Sequence, residues 1–293
     1  DLRILVKRNN VLEEDFTGVF FRQTADIEIS ASDNWEPIGL SGIPFAGNYD
    51  GNGFEIAGLF INTSSSFQGL FGFLEGSVKN LTVRGDVASI YSAGPYSHSF
   101  AGGIAGAMNN GALIENCVNF VNITADSYAG GIVGEIAEND LMRTDAVTII
   151  RNCINYGTIT AVTDNAVNES AMYFGGIAGR SNGIITDCEN RGIVKTETDK
   201  DNAENIGGIT GLTYYPYKTG MEIGDKEQYA VRNCRNFGEI TGYRNTGGIV
   251  GNAALPVIEC TNYAAVKGRI CTGGVVGLAG TKGTYETDLG RIE

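Results

Sequence analysis

A chain of 293 residues that is 42% hydrophobic can bury a substantial core, as one large domain or two ordinary ones. Its formal charge of −13 excludes a basic phosphate-binding surface and predicts repulsion from nucleic acid and from anionic lipid. Its 42 glycines lack collagen spacing and so serve turns and close packing, and no apolar run is long enough for a membrane span.

In chain order, residues 1–9 place Leu2, Leu5 and Val6 on one helical face, the pattern of a short helix capping an open stack end. "VFFRQTADIEIS", residues 19–30, reads as one strand. "NYDGNG", residues 48–53, mimics part of a calcium loop but lacks the later bidentate glutamate, and a tight turn accounts for it without a metal.

From residue 67 two phrases alternate. The first is "QGLFG" at Gln68, then "GGIAG", "GGIVG", "GGIAG", "GGITG", "GGIVG" and "GGVVG", starting at Gly102, Gly130, Gly175, Gly207, Gly247 and Gly273. The second is "KNLTVRGDV" at Lys79, then "ENCVNFVNI", "RNCINYGTI", "TDCENRGIV", "RNCRNFGEI" and "IECTNYAAV". The shortest repeat, Cys234 to Cys260, is 26 residues, and longer ones differ by insertions after one phrase or the other. A fixed unit with insertions at two corners is the mark of stacked laps. The phrases are short, β-branched and punctuated by Gly and Asn, so the laps are stranded and pair in parallel. The expectation is an all-β parallel β-helix of about seven laps, with three short strands per lap. Residues 1–66 form its cap and first lap or laps, and residues 67–293 its repeats.

Stacking turns each repeat position into a column. Ile104, Ile132, Ile177, Ile209, Ile249 and Val275 form a core column, and the glycines beside them are expected to keep the wall thin and to permit positive-φ bends. Asn119, Asn155, Asn190, Asn236 and Asn262 form one asparagine column; Asn80, Asn116, Asn152 and Asn233 form another. Asparagine tolerates the left-handed region and its amide can bond along a stack, so removing one mid-stack rung costs on the order of 1–3 kcal/mol. Cys117, Cys153, Cys188, Cys234 and Cys260 form a ladder, with Cys271 apart from it. No CxxC is present and in-register side chains suit a disulfide torsion poorly, so free, buried thiols are expected rather than metal ligands or bridges.

The residues offer little chemistry. The sole histidine, His98, lies in a loop, and no nucleophile elbow, HExxH helix or phosphate loop occurs. No catalytic residue, metal site or cofactor is expected. The ligand-binding candidates are loop tyrosines: Tyr91 and Tyr96 before Phe100, and Tyr214, Tyr215 and Tyr217 in "LTYYPYKTG". Such loops either present their rings or fold them back over the barrel. The two loops leave different corners several laps apart, so they are not expected to build one site. Phe120, Tyr156, Phe237 and Tyr263, interrupted by Arg191, form an aromatic column read as a stack along the wall.

"FFRQTADIEIS", "WEPIG", "FAGNYDGNGFEIAGL" and "QGLFGFLEGSVKNLTVRG" together resemble the opening of bacterial surface proteins with GLUG repeats, and the later units resemble their continuation. The resemblance spans nearly the whole chain. It implies that the β-helix is right-handed and single-stranded, of the pectate-lyase-like type, in an exported, adhesin-like protein of the gut Bacteroidetes type, and such repeats also occur beside bacterial immunoglobulin A proteases. It carries no catalytic residues. The implied function is non-enzymatic display of loops for adhesion or for glycan or protein binding, with a host glycan, a host protein or a cell-envelope component as partner and no membrane insertion. The alternative is a polysaccharide lyase on the same fold. The chain ends soon after its last glycine phrase, so a further domain or an end-on self-contact is expected there.

Overall fold

Short strands cannot satisfy their own backbone groups, and in the computed structural model each phrase pairs with the same phrase one lap away. The structure describes residues 2–30, 34–89, 98–137, 146–162, 172–197, 204–215 and 229–280. Every named strand pairing among them is parallel, for instance Leu113–Glu115 with Ile149–Arg151. Four sheets result. Sheet 1 has eight strands, from Phe20–Arg22 to Val257–Ile258. Sheet 2 opens with Ile27–Glu28, Glu55–Asn62, Thr82–Ser89 and Val118–Ala125, then breaks into pairs such as Ile154–Asn155 and Ile159–Ala161. Sheet 3 runs from Phe67–Gln68 to Ile270–Gly273 and sheet 4 from Phe71–Leu74 to Val276–Ala279, seven strands each. The chain visits sheets 1, 2, 3 and 4 in turn and starts again, a parallel-stranded solenoid.

Three strands per lap was one too few. The Gly-Gly pair bends the chain between Gly102 and Ala105, so the glycine phrase is split between sheets 3 and 4 rather than lying in one strand. These glycines do not adopt positive φ; that conformation falls elsewhere. What they provide is room. A Cβ on Gly131 would be driven into the Asn155 amide and the Gly176 carbonyl of the next lap. The left-handed corner lies between sheets 1 and 2 and is taken by Asn80, Asn116, Asn152, Asp187, Asn233 and Glu259, all with φ between 48° and 56°. Inside, Ile104, Ile132, Ile177, Ile209 and Ile249 are fully buried, each contributing about 2 kcal/mol relative to exposure. Val275, in the last described lap, is only partly covered.

At the other end, the helix Leu2–Val6 continues as a wider π turn, Lys7–Val11. Leu2 and Val6 are buried and Leu5 packs against the same core. Asn9 and Asn10 tie the cap down: the Asn9 amide donates to the Glu14 carbonyl at 2.6 Å, and the Asn10 amide donates to the Pro37 carbonyl at 2.9 Å. The single strand expected over residues 19–30 is two, Phe20–Arg22 and Ile27–Glu28, because the corner between sheets 1 and 2 falls between them. There Gln23 turns inward, its amide donating to the carbonyls of Ala25 and Glu55 at 2.8 and 2.9 Å. Residues 48–53 form a whole sheet 1 strand, Asn48–Asp50, and a tight turn, in which Asp50 accepts from the Asn52 N–H and the Asn80 amide, both at 2.9 Å. The Asn80 amide is the main cause holding the Asp50 carboxyl below its ordinary pKa.

The main asparagine column is a continuous chain of amides. Asn119 donates to Asn155 at 2.8 Å, Asn155 to Asn190 at 2.9 Å, Asn190 to Asn236 at 2.8 Å and Asn236 to Asn262 at 2.8 Å. Each rung also clamps its own strand two residues on; Asn155 donates to the Gly157 carbonyl and accepts from the Gly157 N–H. One corner away, the left-handed column points the other way. There Asn116 donates to Asn80, and Asn80 to Asp50.

All six cysteines are free. Cys117, Cys153, Cys188 and Cys234 are buried, Cys260 is partly covered, and each donates to the carbonyl two residues before it at 3.1–3.3 Å. Burial pushes the Cys117 and Cys188 thiols well above the ordinary value. The expectation of buried thiols fails at Cys271, which is exposed in the last strand of sheet 3. A disulfide-exchange reagent is therefore expected to label Cys271 rapidly in the native protein and all six thiols after denaturation. Rapid labelling of four or more native thiols would contradict the buried ladder.

Candidate functional site

The insertions in the sequence all fall between a sheet 2 and a sheet 3 strand, or between a sheet 4 and a sheet 1 strand. Tyr91, Tyr96 and Tyr217 lie outside the described residues. Tyr214 and Tyr215 follow the sheet 4 strand Thr210–Thr213, and both are partly buried. The Tyr214 hydroxyl donates to the Ile136 carbonyl at 3.4 Å, and its ring lies 4.1 Å from the guanidinium carbon of Arg180.

Arg180 organises this face. It stands in sheet 4 directly beside Glu135, in register, and pairs with it at 3.3 Å. Its guanidinium also lies 5.9 Å from the Tyr128 ring and 6.0 Å from the Tyr173 ring. Tyr128 and Tyr173 belong to a row on sheet 3 that reads Phe67, Phe100, Tyr128, Tyr173, with ring centroids 5.0, 4.7 and 4.9 Å apart. His98 packs edge-on against Tyr128 at 5.2 Å. Burial raises the Glu135 carboxyl above its ordinary pKa and pushes the Tyr128 hydroxyl up to about 12.

Tyr214, at the start of the second tyrosine insertion, thus meets Arg180 directly, while His98 and Phe100, at the end of the first, reach it only through Tyr128. Sequence reasoning did not join them, though the signal was present. The residue after each glycine phrase forms one column, and it reads Ala107, Glu135, Arg180, Leu212, Asn252. Aligning the phrases by one further position exposes the charge pair. Chemically the cluster is a clamp. The carboxylate is spent on the guanidinium, and Tyr128 is packed between Phe100 and Tyr173. Among the described residues no group of three or more His, Cys, Asp or Glu side chains is placed to hold a metal ion.

Sheet 2 presents the opposite case, an uncovered face. Arg84, Phe120, Tyr156, Arg191, Phe237 and Tyr263 occupy one outward column over six successive laps. Phe120 and Tyr156 stack at 4.7 Å and 5°, and Phe237 and Tyr263 at 4.8 Å and 7°. Arg84 lies 3.7 Å over Phe120, and Arg191 sits between the pairs, 5.9 Å from Tyr156 and 4.9 Å from Phe237. The arginine that interrupts the aromatic column therefore continues the stack. Tyr156 is 42% exposed, Phe237 40% and Tyr263 63%, with Ile193 beside them at 44%. Stacked rings spend their faces on each other and present their edges outward. Such a stripe grips a protein surface or the rim of a sugar better than it stacks a sugar ring. Carboxylates border it: Glu55 holds Arg84 at 2.7 Å, and Glu189 holds Arg191 at 2.7 Å and Arg235 at 3.4 Å. A separate cavity of about 250 Å³ lies at the capped end, lined by Arg3, Val6, Lys7, Val11, Trp35 and Glu36 among others.

No family model matches the chain. Its fold is similar to that of a solved protein from Bacteroides ovatus described as a "putative immunoglobulin A1 protease", with a TM-score of 0.65 and 20% identity over 98% of this chain and 81% of that one. At that identity the likeness concerns the fold alone. A curated relative from Evansella cellulosilytica, described as a "Putative Gly-rich membrane protein", is 36% identical over 107 residues, which cover 34% of this chain and 12% of the relative. The chain thus matches a small part of a much longer protein. Among the described residues no helix is long and apolar enough to cross a membrane. The chain is therefore an all-β, parallel-stranded solenoid similar in fold to a Bacteroidetes protein.

Proposed function

We propose that this chain is a right-handed, GLUG-type β-helix of an exported or cell-surface protein, and that it acts without catalysis by binding a host protein, a glycan or a cell-envelope component. The single observation behind this reading is the contrast between its two outer faces. The charged pair beside Tyr214, Glu135 and Arg180, is closed on itself, whereas the arginine–aromatic stripe on sheet 2 is open. Tyrosine, phenylalanine and arginine are the residues that dominate binding at protein interfaces. The membrane description of the Evansella relative and the Bacteroides origin of the solved neighbour agree with display at the cell envelope.

The test is a screen of the chain against host-protein and glycan arrays, repeated with the double variant Tyr156→Ala, Phe237→Ala. The expected result is a saturable partner that the double variant binds about tenfold or more weakly, with an unchanged circular dichroism spectrum. A rise in ultraviolet absorbance on incubation with acidic polysaccharides, abolished by Arg180→Ala, would replace this reading with the lyase alternative.

A further inference from the structure

The outward column of sheet 2 has a fixed order. Phe120, Tyr156, Arg191, Phe237 and Tyr263 each follow an asparagine of the continuous amide chain, and Arg84 pairs in register with Phe120, so the six stand one lap apart. Along the axis the column reads arginine, phenylalanine, tyrosine, arginine, phenylalanine, tyrosine. Reversed and laid against itself, it sets Arg84 opposite Tyr263, Phe120 opposite Phe237, and Tyr156 opposite Arg191. Every arginine then faces a tyrosine, and every phenylalanine a phenylalanine. The flanking columns agree. Glu239 comes opposite Asn122 and Asp86 opposite Ala265, while Glu189 comes opposite Ile154 and Arg235 opposite Val118, so no two like charges meet. Laid together in the forward sense, the same faces would set Arg84 against Arg84 and Arg191 against Arg191. The four positions nearest the centre, Phe120 to Phe237, belong to laps with described neighbours on both sides.

We infer that two copies of this chain pair face to face through this column, antiparallel, about a two-fold axis that runs along the strands and passes between the laps of Tyr156 and Arg191. A two-fold interface requires a surface that complements itself, residue i meeting j and j meeting i, and this column does so under reversal. The arginines are already oriented. Glu55 holds Arg84, and Glu189 takes the Nε and one Nη of Arg191 at 2.9 and 2.7 Å, which leaves the other Nη to donate to a tyrosine hydroxyl across the axis. Little side-chain freedom remains to be lost on pairing. A slide of three laps also matches arginine to tyrosine but halves the overlap, so the full-length register is the one that forms. Six laps at about 4.8 Å and three outward columns at about 6.6 Å give a contact of roughly 600 Å² per copy, at the lower end of specific interfaces. The pairing is therefore weak and reversible. The inference rests on the reading of the stripe as a binding face, and it names a second copy as the occupant with which any ligand must compete.

Sedimentation velocity of the whole chain under reducing conditions, from about 1 to about 300 μM, is the test. A reversible monomer–dimer equilibrium with a midpoint on the order of 10 μM is expected. Tyr156→Arg sets arginine against arginine twice in each dimer, and Arg191→Tyr sets tyrosine against tyrosine; each is expected to weaken pairing about tenfold. The double variant Tyr156→Arg, Arg191→Tyr exchanges the two residues across the axis and keeps the complement. It is expected to return the midpoint to within about threefold of the parent, a coupling that no independent pair of sites would show. Both changes introduce residue types that the column already carries, so circular dichroism is expected to be unchanged. The inference is overturned by a chain that stays monomeric throughout, by association that Tyr156→Arg leaves intact, or by a double variant no tighter than the single ones. Tightening by Arg191→Tyr alone would overturn it in favour of the forward arrangement. A monomeric chain that still binds an array partner through Tyr156 and Phe237 would end this inference and leave the proposed function standing; a dimer with the rescued double variant but no array partner would do the reverse.

Discussion

Replacing Asn155 by leucine is expected to destabilise the chain by about 3 kcal/mol or more, at the top of the range for a single buried polar group. The side chains are similar in volume, so packing is nearly conserved. What is lost is a full set of hydrogen bonds. The Asn155 amide accepts from Asn119 at 2.8 Å and from the Gly157 N–H at 3.0 Å, and donates to Asn190 and to the Gly157 carbonyl at 2.9 Å each. Leucine strands all four partners in a fully dry position. The same substitution at Asn262 removes a rung with one neighbouring rung, not two, among the described residues, and is expected to cost less than half as much. Urea unfolding of the two variants measures the difference. Equal midpoints would mean that the amides do not act as a chain.

Gly131→Val is the second large effect. The new side chain meets the Asn155 amide and the Gly176 carbonyl at once, and neither is the loose end of a flexible group. Two laps must separate, and the Gly131 N–H to Gly176 carbonyl bond of 3.2 Å goes with them. The expected cost is about 3 kcal/mol or more, enough to prevent folding of a marginal solenoid. Gly274→Val places the same change where no described residue lies within 4 Å of the new Cβ and is expected to stay within about 0.5 kcal/mol of the parent. Thermal unfolding of both variants, side by side, separates steric demand from the intrinsic preference of glycine, which is common to both.

The repeat was legible because stacking converts sequence position into place. The isoleucine, cysteine and asparagine columns follow from aligning five or six phrases. Two things were not legible. The sequence calls for the paired glycines both to thin the wall and to permit positive φ, because a close approach and a bend need the same residue; only the backbone shows that the first applies and the second does not. The Glu135–Arg180 pair was overlooked because its column changes chemistry at each lap, from alanine to glutamate to arginine to leucine. Repetition reveals what every lap shares and hides what two laps do alone. The candidate tyrosines illustrate the second case. Tyr214 was singled out for its ring, but its position is set by a carbonyl and a guanidinium contributed by earlier laps.

The uniform direction of the amide chain has an electrical consequence. Five primary amides aligned head to tail add their moments along the long axis, much as peptide units do in a helix. The positive pole falls at Asn262, the negative pole at Asn119. The shorter row at the left-handed corner runs in the opposite sense and discharges onto the Asp50 carboxylate, which is held ionised by it. Among the described residues, the first lap and the last therefore differ in polarity as well as in shape: one lies under a helix, and the other carries the positive pole of an aligned row of amides.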